Sequence, residues 1–155
     1  MTAPVSIRVA QAFRQPREQV FDAFLDPARV GQWLFRTPGG VMERTDYDPR
    51  PGGDFAIFER RGDDLARHFG RFVAITRPER IVFDFWVDQA PDEKTRVTVD
   101  FEADGDGARA ILSHDLAPAW ADYADRTTAG WTLILNNLNR VVSPGSATAS
   151  ASPGG

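Results

Sequence analysis

The 155-residue sequence contains no cysteine. Disulfide bonds, zinc–thiolate sites and thiol nucleophiles are therefore excluded, and the composition fits a reducing compartment. Lysine is nearly absent as well, because Lys94 is the single lysine among 18 basic residues. No apolar run approaches the roughly 20 residues of a membrane-spanning helix, and the alternating N-terminus has no signal-peptide core. We therefore expect a cytoplasmic protein without a membrane span.

An excess of positive charge is also missing, since the formal net charge is −4. This balance argues against nucleic acid as a partner. His68 and His114 are the only histidines, and the sequence does not indicate the carboxylate partners that a metal site would need. The segment Gly105–Ala110 fits a relaxed dinucleotide fingerprint, but a strand pattern follows it where that motif requires a helix. We expect no metal and no cofactor.

Apolar periodicity predicts the order of the elements. Alternation at Val5, Ile7 and Val9 predicts a first strand, and an apolar stripe of helical spacing follows Pro16. The Asp104–Gly107 turn is typical of a hairpin. In chain order we predict a strand from Val5, a short helix with Pro16 in its first turn and an apolar stripe at Val20–Leu25, and a second short helix that starts at Asp26-Pro27 and carries Val30, Trp33 and Leu34. Strands follow at Val41–Asp48, Asp54–Arg61, His68–Thr76, Arg80–Asp88, Thr95–Ala103 and Ala108–His114, and a long helix follows at Trp120–Val142.

Strands that follow one another without intervening helices favour an antiparallel sheet. The predicted fold class is therefore α+β: a curved antiparallel sheet of about seven strands wrapped around a long C-terminal helix, with two short helices after strand one. The domain is expected to span residues 3–142. The last segment, 143–155, is a low-complexity stretch of small residues with nothing to bury, and we predict that it is disordered.

The long helix carries the most informative pattern. Trp131, Leu135 and Leu138 fall on one face at 100° per residue. Gly130, which lies beside them, lowers the stability of the helix by roughly 1 kcal/mol relative to alanine, so we expect a structural or functional requirement for glycine at this position. We favour a close approach of the helix to its neighbours over room for a ligand. Leu133 is predicted to point away from Trp131 and to be exposed to solvent. It would have a functional role only as part of a contact patch in a homodimer.

The aromatic residues are concentrated on one side of the predicted sheet. In the strand at Arg80–Asp88, Phe83 and Phe85 should face the long helix, whereas Trp86 should lie on the outer face. His114 ends a strand just before the helix. It is either a structural histidine bonded to backbone, which we favour, or a polar group in a cavity. Most of the aromatic side chains belong to the core, and the sequence does not separate them from pocket residues.

Seven segments together resemble the START-like (SRPBCC) superfamily, which has the helix-grip fold. They are, in chain order, Phe13–Phe24, Asp26-Pro27 leading to Trp33-Leu34, Arg50–Gly53, Gly70–Ile75 with Pro78–Phe83, Val97–Phe101, Leu112–His114, and Gly130-Trp131 followed by Leu135 and Leu138. The resemblance covers Val5 to Val142 and is greatest to the bacterial branch named for the activator of the heat-shock-protein-90 ATPase. It implies the helix-grip fold and no shared catalytic residue, and it implies little about function, because members of the superfamily bind lipids, sterols, polyketides or plant hormones and some are cyclases.

The one-sided aromatic content facing one long helix leads to our main hypothesis. We predict a small hydrophobic-ligand binding domain, for a lipid or polyketide-like molecule, with a cavity between the sheet and the helix. His114 and Tyr123 would orient a polar group of the ligand. The predicted lining is Trp33, Phe55, Phe83, Phe85, Phe101, His114, Tyr123 and Trp131.

Two alternatives remain open at the level of sequence. An enzyme, a cyclase or hydrolase, could use the same cavity with His114 or Tyr123 as acid or base. A protein-interaction module of co-chaperone type would instead present an exposed apolar patch that includes Leu133. The family name alone does not favour it, because a fold does not imply a function.

Overall fold

A computed structural model describes residues 5–87, 94–116 and 122–143. The described part contains one seven-stranded sheet, two α-helices and a turn of 3₁₀ helix, and two further residues of 3₁₀ conformation precede the second α-helix. The elements are β1 (Val5–Phe13), α1 (Arg17–Phe24), the 3₁₀ turn (Val30–Gln32), β2 (Val41–Tyr47), β3 (Asp54–Arg61), β4 (Asp64–Thr76), β5 (Arg80–Val87), β6 (Thr95–Asp104), β7 (Gly107–Leu116) and α2 (Ala124–Val142).

The strands are ordered β1-β7-β6-β5-β4-β3-β2, and every neighbouring pair is antiparallel. The predicted α+β class, with a curved sheet and a long C-terminal helix, is confirmed. Helix α2 packs across β1 and also contacts α1 and the 3₁₀ turn. Neither α-helix has the length and hydropathy that crossing a bilayer requires.

Several predicted boundaries were wrong. Strand β4 begins at Asp64 rather than at His68, because Gly62, with φ of +63°, closes a tight hairpin in which Arg61 pairs with Asp64. The second predicted helix is only the 3₁₀ turn. Helix α2 begins at Ala124, and Trp120, its predicted first residue, lies outside the described residues. The tail that is predicted to be disordered lies, from residue 144 onward, outside the described residues.

The core lies between the helices and the face of the sheet that they cover. Alternate strand residues point into it, so that Val97 and Val99 of β6 and Leu112 of β7 are buried, and Leu135 and Leu138 meet them from α2. Burying a side chain of this size contributes roughly 1.5–3 kcal/mol. The strict alternation on the strands and the helical spacing on α2 therefore fix which surfaces meet.

A glycine allows one aromatic ring to enter this core. Gly70 of β4 lies directly across from Phe55 of β3 in the antiparallel register. A Cβ built on Gly70 would stand 2.1 Å from two carbons of the Phe55 ring. The ring therefore occupies the space that any other residue at position 70 would need, and it packs against Phe72 and Phe83.

Candidate functional site

A pocket of about 380 Å³ opens at one end of the sheet, beneath the N-terminal half of α2. Antiparallel pairing brings the ends of β5 and β7 and the start of β6 to this place, where Phe85, His114 and Thr95 line it. The loop after the 3₁₀ turn closes one side with Phe35, and Trp131 of α2 covers the top.

Stacked rings form one wall of the pocket. Phe35 lies parallel to His68, with ring centres 4.1 Å apart and planes 3° apart, and it also stacks on Phe85 at 5.1 Å. The indole of Trp131 stands 5.6 Å from the Phe35 ring at a tilt of 56°. We call Phe35, Phe85 and Trp131 the aromatic wall. It gives the pocket an apolar aromatic lining.

The loop that carries Phe35 is held in an unfavourable backbone conformation. Phe35 has φ of +55°, a left-handed value that costs a side-chain-bearing residue about 1–2 kcal/mol. Asn137, a buried side chain of α2, offsets this cost by donating from Nδ2 to the carbonyl oxygens of Trp33 at 3.4 Å and Arg36 at 2.9 Å. The helix thus fixes the position of the Phe35 ring.

A buried chain of hydrogen bonds links α2 to three strands. The indole Nε1–H of Trp131 can only donate, and it donates to His114 Nδ1 at 3.0 Å. The ring proton of His114 therefore resides on Nε2, which donates to Thr95 Oγ1 at 2.7 Å. The hydroxyl of Thr95 in turn donates a hydrogen bond to the carbonyl oxygen of Phe85 at 3.2 Å. Both nitrogens of His114 are engaged.

This arrangement decides what His114 can do. Its side chain is 3% exposed, and burial lowers its pKa from 6.5 to about 4. It is therefore neutral near pH 7, and the lone pair that a general base would use is occupied by Trp131. His114 is therefore best described as a structural histidine. The sequence analysis expected it to bond to the backbone, but its partners are the side chains of Trp131 and Thr95. This bonding argues against acid–base catalysis by His114.

A fully buried carboxylate organises the opposite side of the opening. Glu59 of β3 is 0% exposed and accepts hydrogen bonds from the backbone N–H of Thr37 at 2.7 Å and from its hydroxyl at 2.9 Å. Arg61 pairs with the same carboxylate at 2.6 Å. Gly40 leaves room for it, because a Cβ there would stand 2.1 Å from Glu59 Oε2. Thr37 and Arg61 both line the pocket.

Two predictions about the pocket-facing side of α2, those for Gly130 and Leu133, were wrong. A Cβ on Gly130 would have no atom within 4 Å other than its chain neighbours and the backbone of its own helix. The interpretation of Gly130 as a point of close approach is therefore wrong, and the position opens onto the pocket. Leu133, predicted to be exposed, is half-buried and lines the pocket, since it follows Arg126 and Gly130 at helical spacing.

The structure divides the eight predicted lining residues into two groups. Phe85, His114, Tyr123 and Trp131 border the pocket, with Tyr123 43% exposed. Trp33, Phe55, Phe83 and Phe101 are buried in the core instead. The core group packs mainly against other aromatic rings, as in the contacts Trp33–Phe24, Phe55–Phe83 and Phe101–Phe21.

Some residues that line the pocket or contact its lining were not singled out from the sequence. Glu59 had a visible signal, because it follows Phe55 and Ile57 at period two on the inward side of its strand. Phe35 and Arg36 had none, since the loop is placed by Asn137 from more than a hundred residues away. Trp86 lies opposite Phe85, as predicted, and stacks on Phe69 at 6.2 Å, while its edge reaches the pocket margin.

Within the described ranges, no group of three or more His, Asp or Glu side chains is arranged to hold a metal ion. The chemistry available at the pocket is therefore that of an aromatic wall, a few hydroxyl groups and three guanidinium groups, those of Arg36, Arg61 and Arg126.

The sequence matches the family model described as Activator of Hsp90 ATPase homolog 1-like protein over residues 14–143. This match confirms the resemblance inferred from the motifs. No curated protein matches the chain.

Solved structures share the fold. Protein CV1439 from Chromobacterium violaceum is 24% identical with a TM-score of 0.78, over 90% of this chain and 97% of that one. CalU16 from Micromonospora echinospora is 24% identical with a TM-score of 0.67, over 96% and 82%. DynU16, a protein in the dynemicin biosynthetic locus, is 16% identical with a TM-score of 0.73, over 90% of this chain and 48% of that one.

Proposed function

The chain belongs to the Activator of Hsp90 ATPase homolog 1-like family, and we propose that this member binds a small hydrophobic molecule in the pocket between the sheet and α2. The observation that carries the proposal is the aromatic wall, which faces open space at Gly130. A packed core would fill that space with side chains. The volume of about 380 Å³ lies at the small end of the range for ligand pockets, roughly 300–1,000 Å³.

The shape of the wall favours a flat or extended apolar ligand. Phe35 and Phe85 stack on each other, with planes 21° apart, and with Trp131 they give the pocket an aromatic lining against which a ring or a chain could pack. DynU16, a structural neighbour, is described as a protein in a biosynthetic locus for dynemicin. That description makes a polyketide one class of ligand to test first, and the apolar lining of the pocket makes a lipid the other.

The test uses Nile red, a neutral fluorescent probe of apolar sites, and a pair of substitutions at one position. We expect Gly130→Phe to weaken Nile red binding at least about tenfold, because the new ring would occupy the pocket. Gly130→Ala adds one methyl group where nothing stands within 4 Å and should leave binding nearly unchanged. Circular dichroism checks that both variants fold.

Trp131→Ala supplies an independent check, since it removes a ring of the aromatic wall. Native mass spectrometry of the purified protein with fatty acids and aromatic polyketides would identify ligands that remain bound. Equal affinity for Nile red in the native protein, Gly130→Phe and Trp131→Ala would refute the placement of the site.

A further inference from the structure

The lining of the pocket has a strong bias in charge. Arg36 of the loop, Arg61 of β3 and Arg126 of α2 all line it, and the described lining residues include no aspartate and no glutamate. The whole chain has a formal net charge of −4, so this positive cluster runs against the overall balance. The three arginines come from three separate elements that meet only in the folded protein.

The three arginines differ in their partners. Arg61 pairs with the buried carboxylate of Glu59 at 2.6 Å. Within the described part of the chain, Arg36 and Arg126 make no ion pair; Arg36 donates to the carbonyl oxygen of Gly31 at 3.4 Å, and the Arg126 guanidinium lies 5.6 Å from the ring centre of Tyr123. Arg126 is also in the first turn of α2, where the helix dipole adds positive potential.

Two other polar side chains of the pocket are already engaged in hydrogen bonds within the protein. Both ring nitrogens of His114 are hydrogen-bonded to Trp131 and Thr95, and the hydroxyl of Thr37 donates to Glu59. Arg36 and Arg126 each add five N–H donors to the pocket lining, and of the other described lining residues only Arg61 has as many. A guanidinium presents a planar fork of N–H donors that matches a carboxylate.

We propose that the ligand is an amphipathic carboxylate, whose apolar body lies against the aromatic wall and whose carboxylate pairs with Arg36 and Arg126. The inference rests on the function proposed above and adds the charge of the ligand to it. A cationic head group would be repelled by the two unpaired charges, and a neutral one would gain only ordinary hydrogen bonds. The carboxylate also reaches the mouth of the pocket, where the arginines are exposed.

The experiment compares three probes of one chain length, decanoate, methyl decanoate and decylamine, each displacing Nile red at pH 7.5 below its micelle concentration. We expect the affinity for decanoate to be at least about tenfold higher than the affinity for its methyl ester, and the affinity for decylamine to be the lowest of the three. Raising the salt concentration should reduce the advantage of decanoate without affecting the ester, because the pair is near the surface.

Substitutions of arginine test which residues cause the preference for decanoate over its methyl ester. In Arg36→Gln/Arg126→Gln, decanoate should bind no better than methyl decanoate binds to the same variant. Arg8→Gln, an exposed position of β1 outside the pocket lining, is the matched control and should keep the full advantage.

Two outcomes would overturn the inference in different ways. Equal binding of decanoate and its ester by the native protein, or an advantage that persists in the double variant, refutes the carboxylate while the hydrophobic site stands. Failure of the native protein to bind Nile red, decanoate and the ester alike refutes the proposed function itself, and the inference with it.

Discussion

Trp131 and His114 are joined by a buried hydrogen bond of 3.0 Å, in which the indole N–H of α2 donates to the imidazole Nδ1 of β7. The two rings meet edge to face, with centres 5.9 Å apart and planes 82° apart. This one contact sets the tautomer of His114, orients the tryptophan above the pocket and ties the helix to β7, the second strand from one edge of the sheet.

The first prediction concerns the pH dependence of stability. The pKa of His114 is about 4 in the folded protein and about 6.5 in the unfolded chain. As the pH falls, the unfolded state therefore takes up the proton first. The stabilisation is complete above about pH 6.5 and is lost progressively down to about pH 4, for a total of about 3 kcal/mol. Urea unfolding at a series of pH values measures this slope.

His114→Gln is the matching variant, because an amide can accept from Trp131 and donate to Thr95 but does not titrate in this range. Its stability should be nearly flat between pH 6.5 and 4. The ion-paired carboxylates of Asp22 and Asp26, whose pKa values are lowered by hydrogen bonds from Arg77 and Arg29, lose their contribution only at lower pH. An unchanged slope in His114→Gln would contradict the assignment.

The second prediction compares one substitution at two glycines. Gly130→Ala should raise the free energy of unfolding by up to about 1 kcal/mol, because alanine favours the helix and its methyl group enters open space. Gly70→Ala should lower it by about 1–3 kcal/mol, because the methyl group would overlap the Phe55 ring. Chemical denaturation of both variants gives the two values. Destabilisation by Gly130→Ala would restore the close-approach interpretation.

The third prediction tests how the Phe35 loop is held. Asn137→Ala removes the donor to the carbonyl oxygens of Trp33 and Arg36 and should cost about 1–3 kcal/mol of stability. It should also weaken Nile red binding, since the strained backbone at Phe35 loses its support. Asn136→Ala changes the neighbouring exposed position and serves as the control. Loss of stability with full binding would separate the loop from the pocket.

Local pattern accounted for most of the fold. The period-two alternation of the strands and the helical spacing of Trp131, Leu135 and Leu138 depend only on neighbours in the chain, so they could be interpreted without a structure. The boundaries of β4 and α2 were less accurate, because a two-residue hairpin and the start of a helix depend on a few backbone angles rather than on periodicity.

The sequence by itself determined that one long apolar helix must cover one face of an antiparallel sheet, and that this face is rich in aromatic residues. Only the tertiary structure decided which rings border open space. Phe83 and Phe85 share a face and a pattern, yet one is buried in the core and the other lines the pocket, because the loop of Phe35 and the missing side chain of Gly130 lie beside only the second. Such differences come from contacts between distant segments, which no local pattern contains.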